Sequence, residues 1–172
     1  MEGCKKFVIV VGAGGLGREI RQYFADAMES ESTQFAGFLD DALHNPKRDQ
    51  IVLASPILGD IRSHVPSPNY RYLMAIGDPA ARAMVARTFI SKGAIFLTIL
   101  HPRSYVACNA SVGDGCIIAP FASVGAGATL KTFSHVHFFA SAAHDSVIGP
   151  FASISPYAAV NGQGELGECS FL

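Results

Sequence analysis

Charge of either sign is scarce in this sequence, and so are long apolar runs. Of its 172 residues, 16% are charged, and 13 Lys and Arg stand against 14 Asp and Glu, so that the formal net charge is −1. The chain has neither a basic stripe nor an acidic tail, and we expect no nucleic-acid partner. Since no apolar run approaches the length that crosses a bilayer, we expect no membrane partner either.

Cysteines are few and lack the CxxC spacing of zinc and redox sites. They stand at Cys4, Cys108, Cys116 and Cys169. This spacing predicts buried or free thiols rather than disulfides or a metal centre. The segment MEGCKKFVIVVGAGGLG at residues 1–17 has lysines before an apolar run, as signal peptides do, but the run is short and ends in glycines. We therefore expect a cytoplasmic protein with reduced thiols.

The first hundred residues alternate between strand and helix patterns. Strands are predicted at residues 6–11, 34–39 and 70–76, and helices at residues 15–28 and 78–93. In the second helix, Asp78 can cap the N-terminus and Gly93 can end the helix. Strands that alternate with helices imply a parallel sheet with helices packed on it.

A glycine-rich motif joins the first strand to the first helix. The stretch VGAGGLGREI follows the GxGxxG pattern, and the candidate ligand-binding glycines are Gly12, Gly14, Gly15 and Gly17. Such glycines permit a tight turn, let the backbone approach a phosphate and let the helix pack closely on the strand. Asp40 and Asp41 follow about twenty residues later, at the end of the next strand, where an acid can bind ribose hydroxyls. The alternative is a purely structural glycine turn.

The short length of this half of the chain favours one kind of nucleotide over another. It lacks the second set of strands and helices that a dinucleotide usually straddles. We therefore expect a mononucleotide-type ligand such as a nucleotide sugar. A nicotinamide-dependent oxidoreductase would explain the glycine motif and nothing else in the sequence.

From residue 106 onward, an aliphatic residue recurs at every sixth position. These positions are Val106, Val112, Ile118, Val124, Leu130, Val136, Ala142, Ile148, Ile154, Val160, Leu166 and Leu172. A small residue follows each of the first eleven after four positions, beginning with Ala110 and Cys116. Helices and ordinary strands have no period of six, whereas hexapeptide β-helices do, since each unit forms one face of a triangular coil. The pattern therefore predicts a parallel β-helix with the aliphatic side chains inside.

The order of these motifs resembles one family. FVIVVGAGGLGREI, FAGFLDD, LMAIGD, ILHPRSYV and HDSVIG follow one another as in the sugar acetyltransferases of the NeuD/PglD type. The resemblance implies a Rossmann-like parallel α/β domain over residues 1–100 that binds a nucleotide sugar. It also implies a left-handed parallel β-helix over residues 101–172, and transfer of acetyl from acetyl-CoA to an amine or hydroxyl of an amino sugar or sialic acid.

The same resemblance makes His144 the general base and Asp145 the residue that holds its imidazole. The residue types agree, because histidine titrates near neutral pH and a neighbouring carboxylate fixes its tautomer. Three hexapeptides make a coil of about eighteen residues, which predicts Gly162 directly above His144. The backbone N–H of Gly162 is our candidate for stabilising the thioester oxyanion. The alternative is that His144 and Asp145 form only a polar corner.

Further residues are weaker candidates for binding the acceptor or a metal. By the resemblance, Gly77 and Asp78 would help hold the base or sugar, although Asp78 could be a helix cap alone. His137 stands where relatives often have asparagine, and we expect it to line the acceptor pocket. His135 and His137 share the outward face of one strand and could form half of a metal site. Their spacing does not match such sites, and we predict no metal.

The resemblance also bears on assembly. The family is trimeric, with active sites between neighbouring subunits, so we expect a homotrimer. The chain stops at GECSFL within the repeat pattern, whereas solenoids need a polar cap. Relatives continue through further coils that help bind CoA. We expect this chain to be truncated, and the alternative is that something else covers its end. The prediction is a sugar acetyltransferase; the alternative is a catalytically weak nucleotide-sugar-binding protein whose β-helix serves trimerisation.

Overall fold

The computed structural model describes residues 5–41 and 55–172, and these form two compact units. One unit comprises the described residues up to Gly77 together with Met84–Phe96, and the other comprises Asp78–Ala83 together with Leu97–Leu172. Cys4 lies outside the described residues. Within those residues, every helix is too short or too polar to cross a bilayer.

The first unit is built on a four-stranded parallel sheet. Its elements and the helix that follows are β1 (Lys6–Val11), α1 (Gly15–Ala27), β2 (Thr33–Leu39), β3 (Ile57–Gly59), β4 (Tyr70–Met74) and α2 (Pro79–Ser91). The strand order is β3-β2-β1-β4. The central strand β1 is buried from Val8 to Val11, as a continuous apolar run in a parallel sheet should be. β4 ends two residues before the predicted boundary at Ile76.

The second unit is a coil of very short strands. They are β5 (Ile99–Leu100), β6 (Tyr105–Val106), β7 (Ser111–Val112), β8 (Ile117–Ile118), β9 (Ser123–Val124), β10 (Thr129–Leu130), β11 (His135–Val136), β12 (Ser141–Ala142), β13 (Val147–Ile148), β14 (Ser153–Ile154), β15 (Ala159–Val160) and β16 (Glu165–Leu166). They pair in three parallel stacks, in which His135 lies between Ile117 and Ser153, eighteen residues away on either side. The predicted fold class, a Rossmann-like α/β part followed by a parallel β-helix, is confirmed.

The six-residue pattern supplies the interior of the coil. The fully or nearly buried core comprises Cys116, Ile118, Ala122, Val124, Ala128, Leu130, Val136, Ala140, Ala142, Ile148, Ala152, Ile154 and Val160. The aliphatic residues stack directly on one another from coil to coil, as Ile118, Val136 and Ile154 do, and the small residues of the predicted series are buried in the same core. Leu172, the last member of the aliphatic series, is 47% exposed.

The turns between strands repeat a strained backbone conformation. A left-handed φ recurs every six residues, at Gly115, Phe121, Gly127, Phe133, Phe139, Asp145, Phe151, Tyr157, Gln163 and Cys169. Because most of these residues have side chains, the coil as a whole enforces the conformation. At one corner, the exposed rings of Phe121, Phe139 and Tyr157 stack with centroids 5.0 and 5.1 Å apart. The left-handed φ of Asp145 is thus a property of the coil and not of a particular site.

Candidate functional site

His144 and Asp145 form a hydrogen-bonded pair on the turn between β12 and β13. Nδ1 of His144 lies 3.0 Å from Oδ2 of Asp145, and the two side chains are 65% and 60% exposed. An ion pair this exposed adds little to stability. An ionised carboxylate only accepts hydrogen bonds, so Nδ1 carries the proton and Nε2 presents its lone pair. In this tautomer, Nε2 is the ring nitrogen that can accept a hydrogen bond or a proton.

Gly162 lies directly above this imidazole, as the coil length predicts. A Cβ added at Gly162 would collide with Nε2 of His144. The backbone N–H of the next residue, Gln163, donates to the carbonyl oxygen of His144 at 2.9 Å. Any side chain at position 162 would thus occupy the space in front of the nitrogen that can take a proton.

The glycine loop of the first unit packs as tightly as its motif predicts. Gly12 has a φ of 106°, and a Cβ there would lie 2.8 Å from the carbonyl oxygen of Ala75. A Cβ at Gly17 would collide with the carbonyl oxygen of Gly12. Gly14 stands at the N-cap of α1 without a side-chain cap, so backbone N–H groups remain available at this helix N-terminus.

Asp40 supports this loop from the end of β2. Its Oδ2 accepts a hydrogen bond of 2.7 Å from the backbone N–H of Ala13, and the residue is only 7% exposed. Sequence reasoning assigned Asp40 to a ribose and missed this contact, because the closeness of β1 and β2 ends becomes visible only in the sheet. The structure thus gives Asp40 a role in holding the glycine loop; ribose binding by Asp40 stays a prediction.

Asp41 is exposed and meets residues that sequence reasoning did not single out. Its carboxylate accepts a hydrogen bond of 3.1 Å from the backbone N–H of Arg62 and lies 3.2 Å from Nε of that side chain. Together with Asp60 and Ser63 they line a cavity of about 220 Å³. The sequence contained a signal for this cavity. Asp60 follows β3 as Asp41 follows β2, and the carboxyl ends of parallel strands meet at one edge of the sheet.

Gly77 and Asp78 lie exposed at the start of α2. Oδ1 of Asp78 accepts a hydrogen bond of 2.7 Å from the backbone N–H of Ala81, three residues on. This geometry is that of an N-cap, so the helix-capping role predicted for Asp78 is confirmed. Contact of Gly77 and Asp78 with an acceptor stays a prediction.

His135 and His137 do lie side by side, with ring centroids 6.0 Å apart. Against the expectation of an open outward face, His135 is only 1% exposed, because Arg82 from the first turn of α2 covers it. Nη1 of Arg82 lies 3.4 Å from Nδ1 of His135. A fixed guanidinium at that nitrogen opposes a metal cation there. Within residues 5–41 and 55–172, no group of three or more His, Cys, Asp or Glu could hold a metal.

The environment of these two histidines disfavours their charged forms. Burial, and after it the charge of Arg82, lower the pKa of His137 to about 4. Burial, followed by Arg82 and His137, holds the pKa of His135 well below its usual range. Burial also lowers the pKa of Arg82 to about 10, which leaves the guanidinium charged at neutral pH. The cluster therefore combines one buried cation with two neutral imidazoles.

Acid should destabilise the fold through these histidines. The unfolded chain binds protons on both below about pH 6.5, whereas the folded chain leaves His137 neutral down to about pH 4. Stability present above about pH 6.5 is therefore lost as the pH falls, at up to about 1.4 kcal/mol per unit for each histidine. Urea unfolding at about pH 7.5 and about pH 5.5 measures the loss. His137→Asn should reduce it by about 1.4 kcal/mol; an unchanged loss would contradict the assignment.

Comparisons with known proteins match both parts of the chain. Residues 7–89 match the family model of the PglD N-terminal domain. The GDP-perosamine N-acetyltransferase of Escherichia coli O157:H7 is 28% identical over 155 residues, which are 89% of this chain and 69% of that protein. The UDP-N-acetylbacillosamine N-acetyltransferase of Bacillus subtilis (strain 168) is 27% identical over 115 residues, 66% of this chain and 51% of that protein.

Solved structures share the fold along nearly the whole chain. WeeI from Acinetobacter baumannii AYE has a TM-score of 0.76 at 23% identity, covering 95% of this chain and 76% of its own. The acetyltransferase domain of PglB from Neisseria gonorrhoeae FA1090, in complex with acetyl coenzyme A, has a TM-score of 0.62 at 22% identity, covering 96% and 89%. These likenesses show the fold. The resemblance to PglD-type sugar acetyltransferases is confirmed by the family-model match and the two curated relatives.

Proposed function

We propose that this chain, whose residues 7–89 match the family model of the PglD N-terminal domain, transfers acetyl from acetyl-CoA to the amine of a nucleotide-linked amino sugar. The observation that carries the proposal is the pair at the β-helix corner, where Asp145 holds Nδ1 of His144 and Gly162 leaves space at Nε2. The two relatives are named as N-acetyltransferases of nucleotide-linked sugars, which favours nitrogen over oxygen as the attacked atom.

The chemistry follows from the pair. Nε2 of His144 takes a proton from the amine as its nitrogen attacks the thioester carbonyl, and a C–N bond forms. Asp145 keeps the proton on Nδ1 and stabilises the imidazolium. The C–S bond then breaks, and the imidazolium returns the proton to the leaving thiolate. The N–H of Gly162 is our candidate donor to the oxyanion. No covalent intermediate on the protein is needed, because the amine attacks directly.

In this proposal, residues 1–100 bind the nucleotide sugar together with His137, and residues 101–172 carry out acetyl transfer. A diphosphate suits the N-terminus of α1, where free N–H groups and the helix dipole favour an anion. The proposed acceptor-binding residues are Gly12, Gly14, Gly15, Gly17, Asp40, Asp41, Gly77, Asp78 and His137. Acetyl-CoA is a substrate of the reaction, and the structure of the PglB domain contains it.

A homotrimer is part of the proposal. His144 and Asp145 are more than half exposed in a single chain, whereas acyl transfer benefits from a site that excludes water. A neighbouring subunit that covers this corner would provide such a site. Sedimentation equilibrium over a range of protein concentrations measures the oligomeric state directly. A monomer at all concentrations, in a chain that is nevertheless active, would remove this part of the proposal.

A thiol-release assay tests the activity. The chain is mixed with acetyl-CoA and a panel of GDP- and UDP-linked amino sugars, and free CoA is measured with and without each sugar. We expect release with one amino sugar and none with its hydroxyl analogue. Nucleotide-sugar binding without any release would contradict the proposal and favour a binding protein whose β-helix serves assembly.

Gly162→Ala should separate catalysis from folding. The added Cβ collides with Nε2 of His144, and this exposed imidazole must turn away. Displacing a catalytic group by about 1 Å can cost about 100-fold in rate, so we expect kcat to fall by about that factor while the unfolding midpoint stays unchanged. Gly167→Ala is the matched control, because a Cβ there meets only Oγ of Ser170 at 3.5 Å. Equal kcat values in the two variants would show that Nε2 is not the reacting nitrogen.

A further inference from the structure

Arg82, in the first turn of α2, has a fully buried guanidinium that forms hydrogen bonds with the β-helix. Its Nη2 donates to the carbonyl oxygen of Phe151 at 2.5 Å and to Oγ of Ser153 at 2.7 Å. Its Nη1 lies 3.4 Å from Nδ1 of His135, the residue that pairs with Ser153 in the neighbouring coil. One side chain thus contacts two successive coils of the same stack.

The contact decides which nitrogen of His135 carries the proton. A guanidinium has donors and no acceptor, so Nδ1 of His135 must present its lone pair to Arg82. The proton of the neutral ring therefore sits on Nε2. That atom is buried, and no hydrogen-bond partner for it lies in the described part of the chain. His135 is completely enclosed and cannot itself touch a substrate, so its effect must pass through a neighbour.

The neighbour on the same face is His137. Its ring stands at 74° to that of His135 with centroids 6.0 Å apart, and it is only partly buried. The other ionisable groups that act on Arg82 are Cys169, Asp78 and Cys116. Of the two imidazoles, His137 is the one that a ligand can reach, and its ring packs beside the buried ring of His135.

We propose that Arg82 is a positioning residue for the acceptor sugar: it holds His135 as the Nε2–H tautomer, and the two present His137 as a neutral hydrogen-bond acceptor to the amine. The inference rests on the proposed function for the role of His137. A neutral imidazole nitrogen accepts an N–H of the amine and orients its lone pair, which a protonated imidazole cannot do.

Arg82→Met is the principal test, because methionine keeps much of the volume and removes the charge and the donors. Arg82→Lys keeps the charge, and Arg87→Met removes an exposed arginine from the same helix as a control. Long-range ¹H–¹⁵N spectra of the histidine rings show which nitrogen is protonated and follow each titration. Steady-state kinetics give KM for the acceptor and for acetyl-CoA across the pH range.

We expect the wild-type spectrum to show the proton of His135 on Nε2. In Arg82→Met, this tautomer should be lost, His137 should titrate at higher pH, and KM for the acceptor should rise about tenfold. That KM should increase further as the pH falls, while KM for acetyl-CoA stays unchanged. Arg82→Lys and Arg87→Met should keep the wild-type pH profile. If Arg82→Met does not fold, Ser153→Ala loosens the guanidinium and should produce a smaller change in the same direction.

The proposal is overturned if His135 carries its proton on Nδ1 in the wild type. It is also overturned if Arg82→Met, or Ser153→Ala in its place, lowers stability and leaves the titration of His137 and KM for the acceptor unchanged. Those results would describe a purely structural arginine. The spectra need no turnover, so a wild-type protein without acetyl transfer would disprove the proposed function while the tautomer is still measured.

Discussion

His144→Ala should lower kcat for acetyl transfer by about 100- to 10,000-fold, which is the usual contribution of a general base. The loss is chemical rather than structural, because the side chain is 65% exposed and its pair with Asp145 adds little to stability. KM for both substrates should change much less than kcat, since the proton moves only in the transition state. The measurement is CoA release at saturating acceptor, with the urea midpoint of the same preparation.

Two further variants sharpen this experiment. Asp145→Asn keeps a hydrogen-bonding group beside Nδ1 but can stabilise the wrong tautomer, so it should lower kcat without altering the fold. Lys131→Ala removes an exposed charged side chain elsewhere on the β-helix and should leave kcat unchanged. A loss of less than about threefold in His144→Ala, against the expected range, would exclude His144 as the base.

Gly17→Ala should strongly destabilise the first unit. A Cβ at this position collides with the carbonyl oxygen of Gly12, and backbone atoms cannot move aside as a flexible side chain can. Forcing a methyl group into a packed site costs about 1–3 kcal/mol and sometimes more; since backbone must shift here, we expect about 3 kcal/mol or more. Urea unfolding monitored by far-UV circular dichroism measures the change in free energy.

Gly15→Ala is the matched control for this prediction. Gly15 lies two residues earlier in the same helix, and an added Cβ there meets nothing within 4 Å. Alanine is also the better helix former, by about 0.5–1 kcal/mol, so this variant should be at least as stable as the wild type. If Gly17→Ala unfolded at the same urea concentration as Gly15→Ala, the result would contradict the close packing of α1 on the glycine loop.

Much of the architecture follows from periodicity alone. The aliphatic residue at every sixth position predicts the coil, because three such units per turn place residues eighteen apart in one stack, as Ile118, Val136 and Ile154 are. Coil length then places Gly162 over His144 without any further information. The parallel sheet can also be predicted from the sequence, because the buried part of a parallel strand such as β1 is an uninterrupted run of apolar residues. In each case, the signal lies in residues that are close together in the chain or regularly spaced along it.

The two kinds of fold, the glycine loop and the pair of His144 and Asp145 could therefore be predicted from the residues alone. The hydrogen bond from the backbone of Ala13 to Asp40 and the cover of Arg82 over His135 could not. These contacts join residues 27 and 53 positions apart. They have no period and no local motif, because each depends on how a side chain from one element meets the surface of another. Burial follows from the same packing, which is why the sequence showed two histidines on an open face and the structure shows one of them enclosed.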